Sequence, residues 1–249
     1  MPDLVSSIRE RYMHVLDEVS SAAKKVGRNP AAIRLVVVTK KQPVEVVQAA
    51  IEAGAKILGE NYAEEGVQKI LALESQSAVN QSGVEWHMIG HVQSRKAELV
   101  ARYFALFHSL DSLKLAQRVN HFASEAGRTL PVLLEFNVGG EESKSGWPAS
   151  DESRWLDLLA DVDAIAALTN LEVRGLMTMP PLSTGPEMAW RYFERLRRLR
   201  DFLAKRVPQI NWTELSMGTS SDYRVAVEEG ATLVRVGQAI LGPRPSFGG

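Results

Sequence analysis

Short apolar runs alternate with amphipathic stretches along most of the chain, a pattern that indicates strands followed by helices. The apolar runs predict eight strands, at residues 33–40, 56–61, 85–90, 105–111, 131–138, 171–179, 213–218 and 232–241. Helical periodicity between them predicts helices over about 43–55, 62–75, 94–103, 112–127, 150–167, 186–206 and 221–229. A further helix is expected over 3–26, before the first strand.

Eight strand–helix units predict an α/β fold, a single-domain (β/α)8 barrel of the TIM type over residues 1–249. Residues 1–30 would form an N-terminal helical extension packed outside it. An open, doubly wound sheet is the alternative, because alternation of strands and helices does not by itself prove closure. The strand count and the chain length favour the barrel, whose functional residues would gather at the C-terminal ends of the strands.

The composition narrows the class of protein. The chain has 249 residues, of which 45% are hydrophobic and 24% charged, as in an ordinary globular protein. A net charge of −1 gives no electrostatic footprint for nucleic acid or an anionic membrane, and the absence of cysteine excludes disulfides and thiolate chemistry. No apolar stretch approaches the roughly 18 residues of a membrane span. We therefore expect a cytoplasmic protein with neither nucleic acid nor membrane as partner.

The first strand ends in two lysines, Lys40 and Lys41. Side chains alternate along a strand, so Lys40 shares a face with Val36 and Val38, and an inward position for that face places Lys40 at the barrel rim. A lysine at such a rim loses hydration, which lowers its pKa and suits its amine to a Schiff base with an aldehyde. Taken alone, however, this stretch favours the alternative, a solvated pair of lysines at the end of the strand.

The seventh strand runs into SMGTSSD (216–222), and the eighth carries RVGQ (235–238). Hydroxyl groups, a flexible glycine and the start of a helix predict a phosphate site in the first segment. Gly237 supports this interpretation by leaving space for a ligand on the neighbouring strand. The alternative is an ordinary helix start that Ser220 or Ser221 caps.

Arg235 shares a face with Gly237 and would lie one layer deeper in the barrel. A buried arginine needs a partner, which is either an inward acid such as Glu135 or a ring nitrogen of a flat cofactor. An aldehyde-reactive lysine, a phosphate site and a deep arginine together indicate pyridoxal 5′-phosphate. An arginine does not protonate the pyridine nitrogen as an aspartate does, which argues against a transaminase.

Eight segments carry a resemblance that extends over nearly the whole chain. They are VVVTKKQP (36–43), GENYAEEGVQK (59–69), WHMIGHVQSRK (86–96), SLD (109–111), ESKSG (142–146), RGLMTMP (174–180), LSMGTSSD (215–222) and RVGQAILG (235–242). In order and spacing they resemble the pyridoxal phosphate homeostasis family. The single domain of that family is similar to the N-terminal barrel of bacterial alanine racemases.

The resemblance implies a cofactor role for individual residues. Lys40 falls on the Schiff-base lysine, Arg235 on the partner of the pyridine nitrogen, and Asn61 and His87 on positions that line the cofactor's remaining edge and face. Phosphate contacts are expected from Ser216, Gly218, Thr219, Ser220, Gly237 and Gln238. Met179, at the end of the sixth strand, completes the expected cofactor-binding set. Thr219 and Gln238 depart from the residues usual in the family, which are methionine and serine or threonine.

The family also implies a function. We expect a protein that holds pyridoxal 5′-phosphate as an internal aldimine on Lys40, for intracellular homeostasis or delivery to apo-enzymes, without catalysis of its own. Racemisation requires a second acid/base, which alanine racemases take from a separate C-terminal domain that this chain lacks room for. A racemase-like enzyme of narrow scope is the alternative, and a phosphosugar enzyme that uses Lys40 is a weaker one. A monomer is expected, with a dimer as the other option.

Two further motifs are interpreted as structural. HMIGH (87–91) has histidines four residues apart, but His87 falls on a predicted strand and no third ligand is evident, so no metal is expected. The basic segment 190–206 carries apolar residues at helical spacing, which favours a helix packed on the barrel over a surface for RNA or membrane.

Overall fold

The computed structural model describes residues 3–75, 83–181, 185 and 188–243, and within them eight parallel strands form a closed barrel. The strands are β1 (Arg34–Val38), β2 (Ile57–Glu60), β3 (Glu85–Met88), β4 (Leu106–Leu110), β5 (Leu130–Asn137), β7 (Leu171–Met177), β8 (Glu214–Ser216) and β9 (Leu233–Val236), and a short β6 (Trp147–Pro148) pairs with β5 outside the ring. Because β1 pairs with both β2 and β9, and β4 pairs with β5, the sheet has no open end. The predicted barrel is confirmed, and the open sheet is excluded.

Helices surround this barrel. They are α1 (Leu4–Lys25), α2 (Val44–Glu52), α3 (Ala63–Glu74), α4 (Ala97–Tyr103), α5 (Leu113–Glu125), α6 (Leu159–Ala166), α7 (Trp190–Arg206), α8 (Tyr223–Glu228) and α9 (Gln238–Leu241). α1 precedes the first strand and packs against α2, α8 and α9 on the outside. Asp3 caps it by accepting the Ser6 N–H at 2.7 Å, as expected for an N-cap aspartate.

The end of the chain departs from the prediction. Residues 232–241 were expected to form one strand, but β9 ends at Val236 and α9 begins at Gln238. The Ile240 and Leu241 N–H groups both donate to the Gly237 carbonyl at 2.9 Å, so a local helical turn replaces sheet pairing. A short apolar run does not distinguish a strand from a buried helical turn, and the expected strand was wrong there.

Three predicted helices differ in their first turns. The helix expected from residue 94 opens with a 3-10 turn at Ser94–Lys96, and the one expected from 150 opens with a 3-10 segment at Glu152–Leu158. α7 begins at Trp190, and positions 186 and 187 of its predicted range lie outside the described residues. Its apolar stripe is fully buried against the barrel, which confirms the packing interpretation of this basic helix.

The barrel separates two apolar cores. An inner cluster, which includes Val36, Ile89 and Leu133 with Val38 packed against it, fills the barrel. Leu35 and Val37 belong instead to the larger core between the strands and the helices. The alternation predicted for β1 is therefore confirmed, and it directs the next inward position to Lys40, beyond the C-terminal end of the strand.

A buried ion-pair cluster fixes the chain immediately after β1. The Lys69 ammonium group, on α3, is 4% exposed at the residue level and donates to the Thr39 carbonyl at 2.7 Å. It also donates to Glu60 at 2.7 Å and to Glu65 at 2.6 Å. Glu60 in turn accepts the Thr39 hydroxyl at 2.6 Å. The outward-facing Thr39 is thus fixed at both its carbonyl and its side chain.

Lys41 completes this turn in an unusual conformation. Its φ is 57°, in the left-handed region that residues with a Cβ rarely adopt. The Lys41 N–H donates to the Glu65 carboxylate at 2.6 Å, so the same acid that pairs with Lys69 also stabilises the strained backbone. Thr39 and Lys41 are therefore both anchored outside the barrel, on either side of Lys40.

Replacing Lys69 by methionine tests the importance of the cluster. We expect Lys69→Met to lower the free energy of unfolding by about 3–5 kcal/mol, because it leaves the buried Glu60 carboxylate without its cation. Burial already raises the pKa of Glu60 in the intact cluster. Urea denaturation measures the change. Lys25→Met, which breaks an exposed pair with Glu228, is the control and should cost about 0–1 kcal/mol; equal losses in both variants would contradict the role of the buried cluster.

Candidate binding site at the C-terminal end of the barrel

A cavity of about 450 Å³ opens at the C-terminal end of the barrel. Eight of the eleven residues predicted from the sequence line it: Lys40, Asn61, Met179, Thr219, Ser220, Arg235, Gly237 and Gln238. Val38, Ile89 and Ser221 complete the lining. The volume lies within the range of about 300–1,000 Å³ usual for small-molecule sites. The remaining predicted residues, His87, Ser216 and Gly218, are buried and do not line this cavity.

The two lysines that follow β1 diverge. Lys40 is half-buried and lines the cavity beside the apolar side chains of Val38 and Ile89. Lys41 lines a different surface depression, outside the barrel, together with Glu65. The expected division of the pair is therefore confirmed, because one lysine faces the cavity and the other faces away from it.

Arg235 lies in the cavity floor and is held by neutral groups. One terminal nitrogen donates to the Ser216 hydroxyl at 2.5 Å, and the other donates to the Thr178 carbonyl and the Met179 sulfur, both at 2.9 Å. Within the described part of the chain it forms no ion pair, so the alternative of a pairing with Glu135 is wrong. Burial lowers the pKa of Arg235 to about 10, which still leaves the guanidinium protonated at neutral pH. A charged donor is thus held in the cavity without a counterion in contact.

The buried Glu135 carboxylate, which was the alternative partner for Arg235, has other surroundings than an ion pair. Burial, reinforced by the nearby Asp111 charge, raises the pKa of Glu135 to about 7. One of its carboxylate oxygens has no hydrogen-bond partner among the described residues. Arg235 is near enough to lower this pKa through its charge, but its hydrogen bonds go to Ser216, Thr178 and Met179 instead.

Several polar groups of the predicted phosphate segment are already engaged within the protein. The Thr219 N–H donates to the Asp222 carboxylate at 2.6 Å, and the Thr219 hydroxyl donates to the same oxygen at 3.1 Å. The Ser216 hydroxyl is fully buried and contacts Arg235 and His108. These two positions, although predicted as phosphate contacts, direct their hydroxyl groups to protein partners.

The donors that remain available lie in the next residues. Ser220, Ser221 and Gln238 line the cavity, and their backbone N–H groups have no acceptor among the described residues. The Gly237 N–H donates to the Ser220 hydroxyl oxygen at 3.3 Å, which links the two segments. Neither serine side chain caps α8, so the alternative of an ordinary capped helix start is wrong. Unpaired backbone donors grouped in this way are typical of anion sites.

Gly218 shapes this segment and does not contact the cavity. Its φ is 89°, and a Cβ at this position would lie 2.5 Å from the Ala226 Cβ and 2.9 Å from the Tyr223 Cα. Only glycine therefore allows the segment to pack this closely on α8. The Gly218 carbonyl accepts the Arg235 N–H at 3.0 Å, which ties the segment to β9.

Asn61, directly after β2, has unused hydrogen-bonding capacity. Its carboxamide oxygen is buried and has no partner among the described residues. The residue lines the main cavity and also an adjacent one of about 460 Å³. A buried polar atom without a partner costs about 1–3 kcal/mol, so a ligand that bonds to this group would remove the penalty.

His87 reaches Arg235 only through other side chains. Its Nδ1 lies 2.9 Å from Nε2 of His108, whose Nδ1 lies 2.8 Å from the Ser216 hydroxyl. The sequence interpretation missed His108, although Leu106, His108 and Leu110 share one face of the predicted strand at 105–111. Leu106 lies in the inner cluster, so a polar residue two positions further along this strand was the available signal.

The HMIGH motif does not bring its histidines together. His87 is buried in the barrel, whereas His91 is exposed and pairs with Asp111 at 2.8 Å. Across the described residues, no group of three or more histidine, cysteine or acidic side chains is arranged to hold a metal ion. Nor is any described helix both long and apolar enough to cross a membrane.

Comparison with known proteins gives consistent matches over almost the whole chain. The family model for the N-terminal domain of alanine racemase matches residues 16–245. The pyridoxal phosphate homeostasis protein of Vibrio alginolyticus is 37% identical over 240 residues, which cover 96% of this chain and 99% of that protein. That of Escherichia coli K12 is 38% identical over 244 residues, with 96% and 98% covered.

A solved structure agrees with these sequence matches. PipY of Synechococcus elongatus, in the structure with PLP bound, is 31% identical and has a TM-score of 0.77. The match covers 92% of this chain and 100% of PipY. The chain therefore belongs to the alanine racemase N-terminal domain family and, within it, to the pyridoxal phosphate homeostasis proteins.

Proposed function

We propose that this protein binds pyridoxal 5′-phosphate in the cavity at the barrel mouth and holds it for intracellular homeostasis. The observation that carries the proposal is that Lys40, Arg235 and the unpaired N–H groups at Ser220 and Ser221 line one cavity. The names of the curated relatives and the PLP-bound structure of PipY support the same function.

The three functional groups of the cofactor match three parts of the cavity. The Lys40 amine is the nucleophile for the aldehyde, and Arg235 is the donor for the ring nitrogen. The N–H groups of Ser220, Ser221 and Gln238 are the donors for the phosphate. The Asn61 carboxamide oxygen, which has no partner among the described residues, is available for the ring's remaining polar edge. When bound, pyridoxal 5′-phosphate supplies an electrophilic carbon and an electron-withdrawing ring.

The properties of Arg235 favour holding the cofactor over using it. A guanidinium with a pKa of about 10 keeps its proton at neutral pH, so it donates a hydrogen bond without transferring a proton. A pyridine nitrogen that only accepts a hydrogen bond withdraws electron density less strongly than a protonated pyridine nitrogen does. We therefore infer a weak electron sink and little catalytic turnover.

The lining also argues against racemisation. Among the described residues that line the cavity, Lys40 and Arg235 are the ones with titratable side chains. Racemisation requires a base and an acid on opposite faces of the reacting carbon, and Lys40 provides one of them. The alternative of a racemase-like enzyme of narrow scope lacks a second group in this lining. The proposal extends to a cytoplasmic location, with apo-enzymes that require pyridoxal 5′-phosphate as recipients.

The first test distinguishes the two adjacent lysines. After incubation with pyridoxal 5′-phosphate, the wild-type protein and Lys41→Ala should show a visible absorption band, and Lys40→Ala should not. Borohydride reduction followed by peptide mass spectrometry should locate the covalent label on Lys40. Lys41→Ala is the matched control, because it removes the neighbouring amine outside the cavity. A label on Lys41, or a band that persists in Lys40→Ala, would contradict the assignment.

The second test separates a carrier from an enzyme. The loaded protein should not interconvert D- and L-amino acids, as measured by chiral chromatography with an authentic alanine racemase as positive control. It should restore activity to an apo-enzyme that requires pyridoxal 5′-phosphate. Sustained racemisation by the wild-type protein, lost in Lys40→Ala, would replace the carrier with the racemase alternative.

A further inference from the structure

A continuous series of hydrogen bonds crosses the barrel interior beneath the cavity. Arg235 contacts Ser216 at 2.5 Å, Ser216 contacts Nδ1 of His108 at 2.8 Å, and Nε2 of His108 contacts Nδ1 of His87 at 2.9 Å. Nε2 of His87 then lies 3.2 Å from the Glu85 carboxylate. These five residues, here called the interior chain, come from β9, β8, β4 and β3.

The interior chain connects two ends of the barrel. His87, His108 and Ser216 are completely buried, and Arg235 is 3% exposed. Glu85 is the first residue of β3, at the N-terminal end of the barrel, and its side chain is 53% exposed. Arg235 lines the cavity at the opposite, C-terminal end. A solvent-accessible carboxylate is therefore linked to the cavity arginine through groups that water does not reach.

Hydrogen-bonding rules fix the direction of every contact. An arginine only donates, so the Ser216 oxygen accepts from Arg235 and the single Ser216 hydrogen goes to Nδ1 of His108. A neutral His108 then carries its hydrogen on Nε2 and donates to Nδ1 of His87. His87 in turn carries its hydrogen on Nε2 and donates to Glu85. The opposite direction would place the bare Nε2 of His87 against a carboxylate oxygen, two acceptors facing each other.

The electrostatic surroundings favour this arrangement. Burial lowers the pKa of both His87 and His108, which keeps the imidazoles neutral. The hydrogen bond from His87 lowers the pKa of Glu85, which keeps that carboxylate charged. The other charged side chains that shift the pKa of Glu85 or His87 are Arg34, Arg174 and Glu214.

These neighbouring charges have partners of their own. Arg34 pairs with Glu214 at 2.6 Å, and Arg174 pairs with Glu172 at 2.7 Å. Arg34 and Glu214 shift the pKa of His87 in opposite directions. Glu85 differs from these acids, because its hydrogen bond goes inward to His87. It is the acid that terminates the interior chain.

We infer that the interior chain couples the Glu85 carboxylate to the Arg235 guanidinium, with Ser216, His108 and His87 as positioning residues for the ligand contact of Arg235. Aligned hydrogen bonds polarise one another, so the carboxylate makes the Ser216 oxygen a stronger acceptor. Arg235, which has no ion pair within the described ranges, is thereby stabilised and oriented, while its second terminal nitrogen donates to Thr178 and Met179 at the cavity wall. The ligand part of this inference rests on the proposed function; the direction of the interior chain does not.

Histidine NMR tests the interior chain without any ligand. Long-range ¹H–¹⁵N spectra of the apo-protein, assigned with single His→Gln variants, report the tautomer of each of the five histidines. We expect His87 and His108 to be neutral at pH 7 with the hydrogen on Nε2. A hydrogen on Nδ1 of either residue, or a doubly protonated ring, would overturn the inferred direction.

Binding measurements test the coupling to the cavity. Glu85→Gln removes the terminal charge at an exposed position and should weaken pyridoxal 5′-phosphate binding about fivefold, with a shift of the visible absorption band. Glu172→Gln is the matched control, because Glu172 is half-exposed at the same end but pairs with Arg174. If both substitutions weaken binding equally, the loss of any negative charge at this end of the barrel has the same effect, and the coupling through Glu85 is overturned.

A double-mutant cycle separates the interior chain from action through space. Ser216→Ala interrupts the series next to Arg235, and Ser109→Ala, at a buried serine bonded to the Gly90 carbonyl, is its control. In the Ser216→Ala background, Glu85→Gln should have no further effect on binding. An unchanged fivefold effect in that background would refute the interior chain as the route. Failure of the wild-type protein to bind the cofactor would refute the proposed function instead, and the NMR result would still decide the direction of the chain.

Discussion

A protonated arginine, buried without an ion pair among the residues that the structure describes, is the constraint around which this barrel interior is organised. An isolated buried charge is costly, and proteins normally neutralise it with a paired acid. Here Ser216, Thr178 and Met179 hold the Arg235 guanidinium instead, and the nearby Glu135 forms no ion pair with it. The positive charge of the guanidinium is consequently available to a ligand in the cavity. Pyridoxal 5′-phosphate, an anion with a ring acceptor, is the ligand that this arrangement suits.

The lysine on the other side of the cavity depends on a separate set of contacts. Lys69, Glu60 and Glu65 hold the backbone on both sides of Lys40 from outside the barrel. The inner apolar cluster ends just beneath it, at Val38 and Ile89. The ion-pair cluster around Lys69, outside the barrel, thus fixes Lys40, which is proposed to contact the aldehyde. The polar contacts inside the barrel fix Arg235, which is proposed to contact the ring. The rigidity of the closed barrel maintains the distance between them.

Sequence periodicity was sufficient for the barrel and for the division of Lys40 from Lys41, because both follow from the alternation of side chains along a strand. It did not reveal the partners of Arg235, since Ser216 and Thr178 lie on other strands and meet it only in the folded barrel. The alternation of His108 with Leu106 was visible in the sequence, but the contacts of His108 with Ser216 and His87 form only in the folded barrel. Residues 238–241 were predicted as strand but form a helical turn. Their apolar content does not distinguish the two, because it does not determine which backbone carbonyl accepts each N–H. Local pattern therefore determines which face a residue occupies, and the tertiary structure determines its partner.

The protonation state of the bound cofactor's ring nitrogen measures most directly what Arg235 does. Pyridoxal 5′-phosphate labelled with ¹⁵N in the ring should, when bound at pH 7, show the chemical shift of an unprotonated pyridine that accepts a hydrogen bond. Replacing Arg235 by leucine should move that shift towards a nitrogen without a donor. A pyridinium shift in the wild-type complex, or a shift that does not respond to the loss of the guanidinium, would contradict the placement of the ring nitrogen at Arg235.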